Sequence, residues 1–437
     1  MNKYKLFVVV FCTIGAFAQN IEKKKSNSFS IHSQTTIINQ NKAGFKSPYE
    51  GENSLTPEHE SQTSLTSTLY LGAKLWKGAA FYFNPEIAGG SGISQVLGLG
   101  DATNGETFRI GSPAPKVYLA RMFFSQRFDL NKEYKNIDDD LNQVNDIEAT
   151  KYIKFTIGKI SLADYFDANN FSHDPRTQFM NWGLMASGAW DYAANTRGYT
   201  SGVLIEYVTP SYEIRYNISI LPMIANGNEM NWNFSKQNAQ NVEFTKHYNI
   251  NKLEGNVRVL AFYNSGKMGN YNESVLANPA SPDIVSVRKY GGSKFGFSIN
   301  TDQKINDYLG CFARFGWNDG KHETWAFTEI DNSMSLGIAA DGKKWNCEGD
   351  TFGLAFISSG LSTPHRNYFK AGGTAFMLGE GKLNYGREKV SELYYSYKIP
   401  DKNMYLTTGY QLIFNPGYNI DRKGPVNVFS LRLHYEL

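Results

Sequence analysis

The sequence predicts an all-β protein, a transmembrane antiparallel β-barrel of about 16 strands with short periplasmic turns and long extracellular loops. Three observations predict it. Strict period-2 segments recur along the whole chain, short connectors alternate with long ones, and no stretch after the N-terminus reaches the roughly 18 to 20 apolar residues of a spanning helix. A chain that crosses a bilayer without helices crosses it as a closed barrel, since closure is what satisfies its backbone groups in hydrocarbon.

The alternation is plain in Tyr212 to Leu221, where Ile214, Tyr216, Ile218 and Ile220 point one way and Glu213, Arg215, Asn217 and Ser219 the other. In Tyr152 to Gly158, Ile153, Phe155 and Ile157 stand opposite Lys154 and Thr156. Phe295, Phe297 and Ile299 alternate with Lys294, Ser298 and Asn300, and Leu393, Tyr395 and Tyr397 with Glu392, Ser396 and Lys398. The chain closes with Phe429, Leu431, Leu433 and Tyr435 against Ser430, Arg432, His434 and Glu436. A soluble sandwich also alternates, but it seldom keeps large Tyr, Phe and Leu faces backed by Arg and Glu on one strand after another. Apolar outside and polar inside is the pattern of a barrel with a wet bore.

Strands are expected near residues 28–39, 64–75, 79–88, 116–129, 150–160, 198–208, 212–221, 239–248, 254–264, 293–300, 308–317, 331–340, 349–359, 388–399, 404–414 and 426–437. Turns such as Thr209-Pro210-Ser211 and 400–403 alternate with loops such as 40–63, 89–115, 265–292 and 360–387. One connector departs from the rule. Leu130 to Ala149, with Asp138-Asp139-Asp140, is long where a short turn is due, which means either an elaboration on that side or a slipped register.

Asn2, Lys3 and Lys5, the apolar run Leu6 to Phe17 and the Ala16-Phe17-Ala18 site make residues 1–18 a secretory signal. Residues 19–27 read as a short solvated periplasmic tail and 28–437 as a single barrel. Cleavage removes two lysines and no acid, taking the net charge from +3 to +1, which argues against nucleic acid as a partner. Cys311 and Cys347 then remain, too few for a disulfide framework; two free thiols are favoured over one bridge. The 14% aromatic content, 40 glycines and 27 tyrosines suit a barrel and a large soluble β-protein equally.

Enzyme motifs are missing: there is no H-E-x-x-H, no G-x-S-x-G and no C-x-x-C. His173 beside Asp174, with Ser172 and Ser187 near, could suggest an outer-membrane hydrolase, but adjacent side chains on extended backbone diverge. No catalytic residue, metal ligand or cofactor is therefore assigned. On the fourth strand, Tyr118, Ala120, Met122, Phe124 and Phe128 form the expected lipid face and leave Arg121, Ser125 and Arg127 facing in. Arg215, Arg258, Arg314 and Glu86 fall on inward faces by the same parity. Such charges either hydrate the wall and pair with one another or line a constriction that sets selectivity.

Asp164 to Tyr199 is a long insert between two strands, too rich in aromatics for disorder. It interleaves Asp174, Arg176, Asp191 and Arg197 with Trp182, Trp190 and Tyr192. Flat rings suit the apolar face of a pyranose and charged forks suit its hydroxyls, although the same rings would also anchor the loop to the rim. The run His173 to Trp182, followed by Gly188-Ala189-Trp190-Asp191-Tyr192 and Thr196-Arg197-Gly198-Tyr199-Thr200, resembles the carbohydrate-selective porin family of Gram-negative outer membranes. Asn84-Pro85-Glu86, 111–116, 326–331, 381–386 and 414–419 extend the resemblance along the chain, although the last residue is Leu437 where such barrels commonly end in Phe or Trp.

The resemblance implies a sixteen-stranded pore passing mono- and oligosaccharides by diffusion, narrowed by inward loops and arginines. The expected constriction contributors are Asp174, Arg176, Trp182, Trp190, Asp191 and Arg197 from the loop, with Arg121, Arg215 and Glu86 from the wall. Expected partners are saccharide solutes, outer-membrane lipid and the barrel assembly machinery acting on the C-terminal strand; a single barrel and a homotrimer are both open. The rivals are a general or anion-selective porin, a fatty-acid-type transporter and, least favoured, the hydrolase.

Overall fold

The computed structural model describes residues 28–107 and 113–437; the expected signal and tail lie outside the described residues. The alternating segments become β1 (Phe29–Lys42), β2 (Glu60–Trp76), β3 (Ala79–Gly90) and β4 (Lys116–Asp129), then β5 (Tyr134–Ile137), β6 (Asp146–Ala149), β7 (Tyr152–Ile160) and β8 (Thr200–Val208). They continue as β9 (Tyr212–Ser219), β10 (Asn238–Ile250), β11 (Leu253–Met268), β12 (Lys289–Lys304) and β13 (Leu309–Asn318). The last are β14 (Asn332–Asp341), β15 (Thr351–Gly360), β16 (Glu388–Lys398), β17 (Met404–Phe414) and β18 (Val426–Glu436). Among the described residues three short α-helices lie in the loops: α1 (Trp182–Met185), α2 (Tyr271–Ala277) and α3 (Thr363–Lys370).

All strands except β5 and β6 pair antiparallel with their chain neighbours, and β1 pairs with β18 to close a 16-stranded barrel. The seam is in register from Gln34 with Glu436 to Lys42 with Val428. Side chains sort as the alternation requires. On β12, Phe295, Phe297 and Ile299 are exposed on the outside while Lys294, Ser298 and Asn300 are at most 1% exposed. Ile214 and Tyr216 are likewise 41% and 37% exposed, which puts them on the lipid side and not between stacked sheets.

Local geometry corrects the expected faces at two places. Asn84 of β3 pairs with Arg121 but Pro85 pairs with Leu119, so Ala120 has no partner and β4 bulges. Pro85 has no N–H to give the ladder, and one extra residue reverses the facing of everything beyond it. Tyr118, expected on the lipid face, therefore turns inward and donates its hydroxyl to Glu86, and Ala120 is buried. Met122 and Phe128 stay outside. The second correction is Ile220: β9 ends at Ser219, and Ile220 is buried just past it.

The long connector after β4 is an elaboration, not a slipped register. It forms a separate two-stranded hairpin, β5 with β6, at the short-turn end. Asp146 ties it to the barrel through Lys74 at 2.5 Å and Arg127 at 2.9 Å, and Val144 donates its N–H to the hydroxyl of inward-facing Tyr82. Cys311 and Cys347 are both free thiols.

The outward face makes a direct prediction. Phe297→Arg, near the middle of β12, should destabilise the barrel by about 2–4 kcal/mol in lipid vesicles. Urea titration of the refolded protein measures this, and an unchanged midpoint would contradict a lipid-facing position.

Candidate functional site

The bore of a 16-stranded barrel is too wide for its own wall side chains to fill. Here residues 161–199, between β7 and β8, fold into it, and wall charges hold them there. Glu392 on β16 accepts the N–H groups of Met180 (2.7 Å) and Asn181 (2.8 Å). Arg432 on β18 donates to the carbonyls of Pro175 and Gln178 at 2.8 and 2.7 Å. Arg314 on β13 donates to the carbonyls of Ser172 and Leu184 and pairs with Asp167 at 3.2 Å. Asn181 then caps α1 by accepting the N–H of Leu184.

A cavity of about 470 Å³ remains between this loop and the wall formed by β1 to β4 and β7. At its centre Arg176 reaches Glu106 at 2.9 Å and Glu86 at 3.2 Å, while its remaining Nη1 donates to Gln34, Thr68 and Tyr70. Glu86 also accepts the hydroxyls of Thr68, Tyr118 and Tyr199. Arg121 holds Asp164 through two hydrogen bonds of 2.6 and 2.7 Å, and its guanidinium lies 5.2 Å from the centre of the Tyr199 ring. Arg197 covers Tyr118 at 4.0 Å. Trp182 completes the lining and stacks on Phe327, centroids 4.6 Å apart.

Burial raises the Glu106 carboxyl above its ordinary range, with Arg176 opposing. Burial, followed by the charge of Glu86, raises the Tyr199 phenol well above its ordinary value, so it stays a neutral donor.

The structure thus gathers Glu86, Arg121, Asp174, Arg176, Trp182 and Arg197 around one cavity. The other three candidates lie elsewhere. Trp190 is buried, donates to Asn241 at 2.9 Å and packs on Tyr192. Asp191 accepts the N–H groups of Trp325 and Ala326, both at 2.8 Å, and burial pushes it up to about 6. Arg215 sits in a wall cluster with Glu206, Glu213 and Glu243. Sequence reasoning missed Glu106, Tyr118 and Asp164. Glu106 lies in an aperiodic loop and Tyr118 behind the bulge, for which Pro85 inside a strand was the readable sign.

Behind Asp191 a buried charge chain fastens the long-loop end. Lys294 lies 4.0 Å from Asp191 and 3.6 Å from Asp331. His365 of α3 bridges Asp331 (2.9 Å) and Glu329 (3.1 Å) beneath the ring of Tyr271 from α2.

Burial disfavours charge on both His365 and Asp331. Their pairing outweighs it, holding His365 above its ordinary 6.5 and Asp331 well below its ordinary 3.8. The His365 contribution is complete below 6.5 and lost as pH rises through its raised value; that of Asp331 is present above 3.8 and lost as pH falls through its lowered one. Amide-exchange protection in α3, corrected for intrinsic rates, should therefore peak between those two ordinary values. His365→Ala should flatten the peak.

A closed antiparallel barrel with an apolar outside, a polar bore and a loop folded in to narrow it is the architecture of porins, which are known as channels rather than enzymes and reside in the outer membrane. The family profile described as "Carbohydrate-selective porin, OprB family" matches residues 52–437, and the chain belongs to that family. It is similar to the high-pH structure of Pseudomonas putida OprB at 16% identity, covering 94% of each chain with a TM-score of 0.70. Its similarity to the low-pH structure of the same protein is 12% identity, 97% of each chain and a TM-score of 0.52. No curated protein sequence matches the chain.

Proposed function

We propose that this sugar porin passes small saccharides passively through the cavity around Arg176, with Glu86, Trp182, Arg121, Asp174 and Arg197 as the contacts that narrow and select. The observation that carries this reading is the charge balance of the lining. Among the described residues, Glu86, Glu106, Asp164 and Asp174 face Arg121, Lys154, Arg176 and Arg197, four acids against four bases. A cavity without net sign favours neither anions nor cations, and its paired donors and acceptors match a ring of hydroxyls. An anion-selective channel would need an excess of bases that the lining lacks among the described residues. Trp182 adds an aromatic surface for the apolar side of a pyranose.

In this reading Trp190, Asp191 and Arg215 act through the loop and wall they fasten. The short turns and the β5–β6 hairpin face the periplasm, and the chain is exported by residues 1–18 and assembled through β18. Amino-terminal sequencing of the mature protein should begin at Gln19.

In planar bilayers, glucose or maltose should block the wild-type current in a concentration-dependent way. Arg176→Ala should raise conductance and weaken the block about tenfold, the factor that roughly 1.4 kcal/mol of lost hydrogen bonding gives. Block by phosphate with no response to sugar would sink the assignment.

A further inference from the structure

The loop that narrows the lumen also divides it. On the far side of segment 170–178 lies a second cavity of about 420 Å³, which shares no lining residue with the first. It opens among the short turns, at Asn306 to Tyr308, Asp341 and Gly349. Its walls are the inward positions Tyr394 and Ser396 of β16, Tyr405 of β17 and Glu436 of β18.

Toward the membrane centre it is closed by rings seated on glycines. Phe171 lies so close over Gly310 that a Cβ there would come within 1.9 Å of the ring, and Tyr394 so close to Gly353 that a Cβ would come within 2.2 Å. Tyr394 meets Phe179 edge-on with centroids 4.9 Å apart, and Phe179 packs on Phe312 at 5.7 Å. Phe179 is fully buried. The cavity is therefore parted from the pore cavity by segment 170–178 and opens on the short-turn side.

Its lining combines the rings of Tyr308, Tyr394, Tyr405 and Phe171 with Asp307, Asp341 and Glu436. The one lysine among the lining residues, Lys304, is held by Glu254 at 2.7 Å. Unlike the pore cavity, this one has three acids against one base in its lining, with Lys344 set over the outer Tyr308 ring at 5.0 Å and His434 paired with Glu436 at 2.8 Å. We propose that it is a second saccharide site, facing the periplasm, which takes neutral and amino sugars and rejects sugar acids. The Tyr405 face suits the C–H side of a pyranose, the Asp307 and Asp341 carboxylates accept its hydroxyl or ammonium hydrogens, and a sugar carboxylate meets like charge. The proposal rests on the reading of the protein as a sugar porin and adds to it a site that shares no residue with the pore cavity.

Equilibrium dialysis of the full chain in detergent tests it, using Trp182→Ala to weaken the pore contacts. Labelled glucose should still bind, glucosamine should displace it, and glucuronate should not. Adding Tyr405→Ala should reduce the binding at least tenfold. Asp307→Lys, on an exposed turn where folding is not at stake, should cost glucosamine more than glucose. In bilayers neither Tyr405→Ala nor Asp307→Lys should alter the sugar block of an otherwise wild-type channel. Absence of residual binding, or binding indifferent to both substitutions or shared equally by glucuronate, would overturn the second site while leaving the current block standing. Loss of wild-type current block would instead count against the porin reading itself.

Discussion

The attachment of one loop to charges on the barrel wall is the constraint on which the remaining architecture depends. Glu392, Arg432 and Arg314 direct their hydrogen bonds at backbone N–H and carbonyl groups of residues 172–184, groups that would otherwise lie in the bore without regular secondary structure to satisfy them. Each of these wall charges is buried. A buried carboxylate or guanidinium is tolerated when its hydrogen bonds are filled, and here the loop backbone fills them. The arrangement is reciprocal, because wall and loop each supply what the other would lack.

That reciprocity separates two kinds of charge in the lumen. Arg314, Arg432 and Glu392 are committed to holding the loop. Arg176, Glu86 and Glu106 border open space and pair with one another, and Arg121 beside them pairs with Asp164. Among the described residues the pairing balances the charge of the lining and leaves a dense set of directional donors and acceptors in place.

The barrel was legible in the sequence because its outer face must be apolar and its inner face polar at every strand, and period-2 alternation records that demand directly. Strand β4 shows where the record fails. A bulge adds one residue and reverses parity, so Tyr118 was assigned to the wrong side even though its neighbours Met122 and Phe128 were not. The site was less legible than the wall. Asp191 and Arg197 stand six residues apart in the same aromatic-rich stretch, yet Asp191 receives two backbone N–H groups from the β13–β14 loop while Arg197 borders the cavity. Only the path of the loop distinguishes them, and that path is set by partners more than 100 residues away, such as Arg314 and Arg432. Glu106 gave no signal because its loop has no period to read.

The seam between β1 and β18 joins residues some four hundred positions apart, and Arg432, which grips Pro175 and Gln178, lies on the last strand to be made. Contacts so distant along the chain are slow to form. The strand that shuts the cylinder is thus also one of those that grip the plug within it, so a substitution at Arg432 touches the closing strand and the inner loop at once.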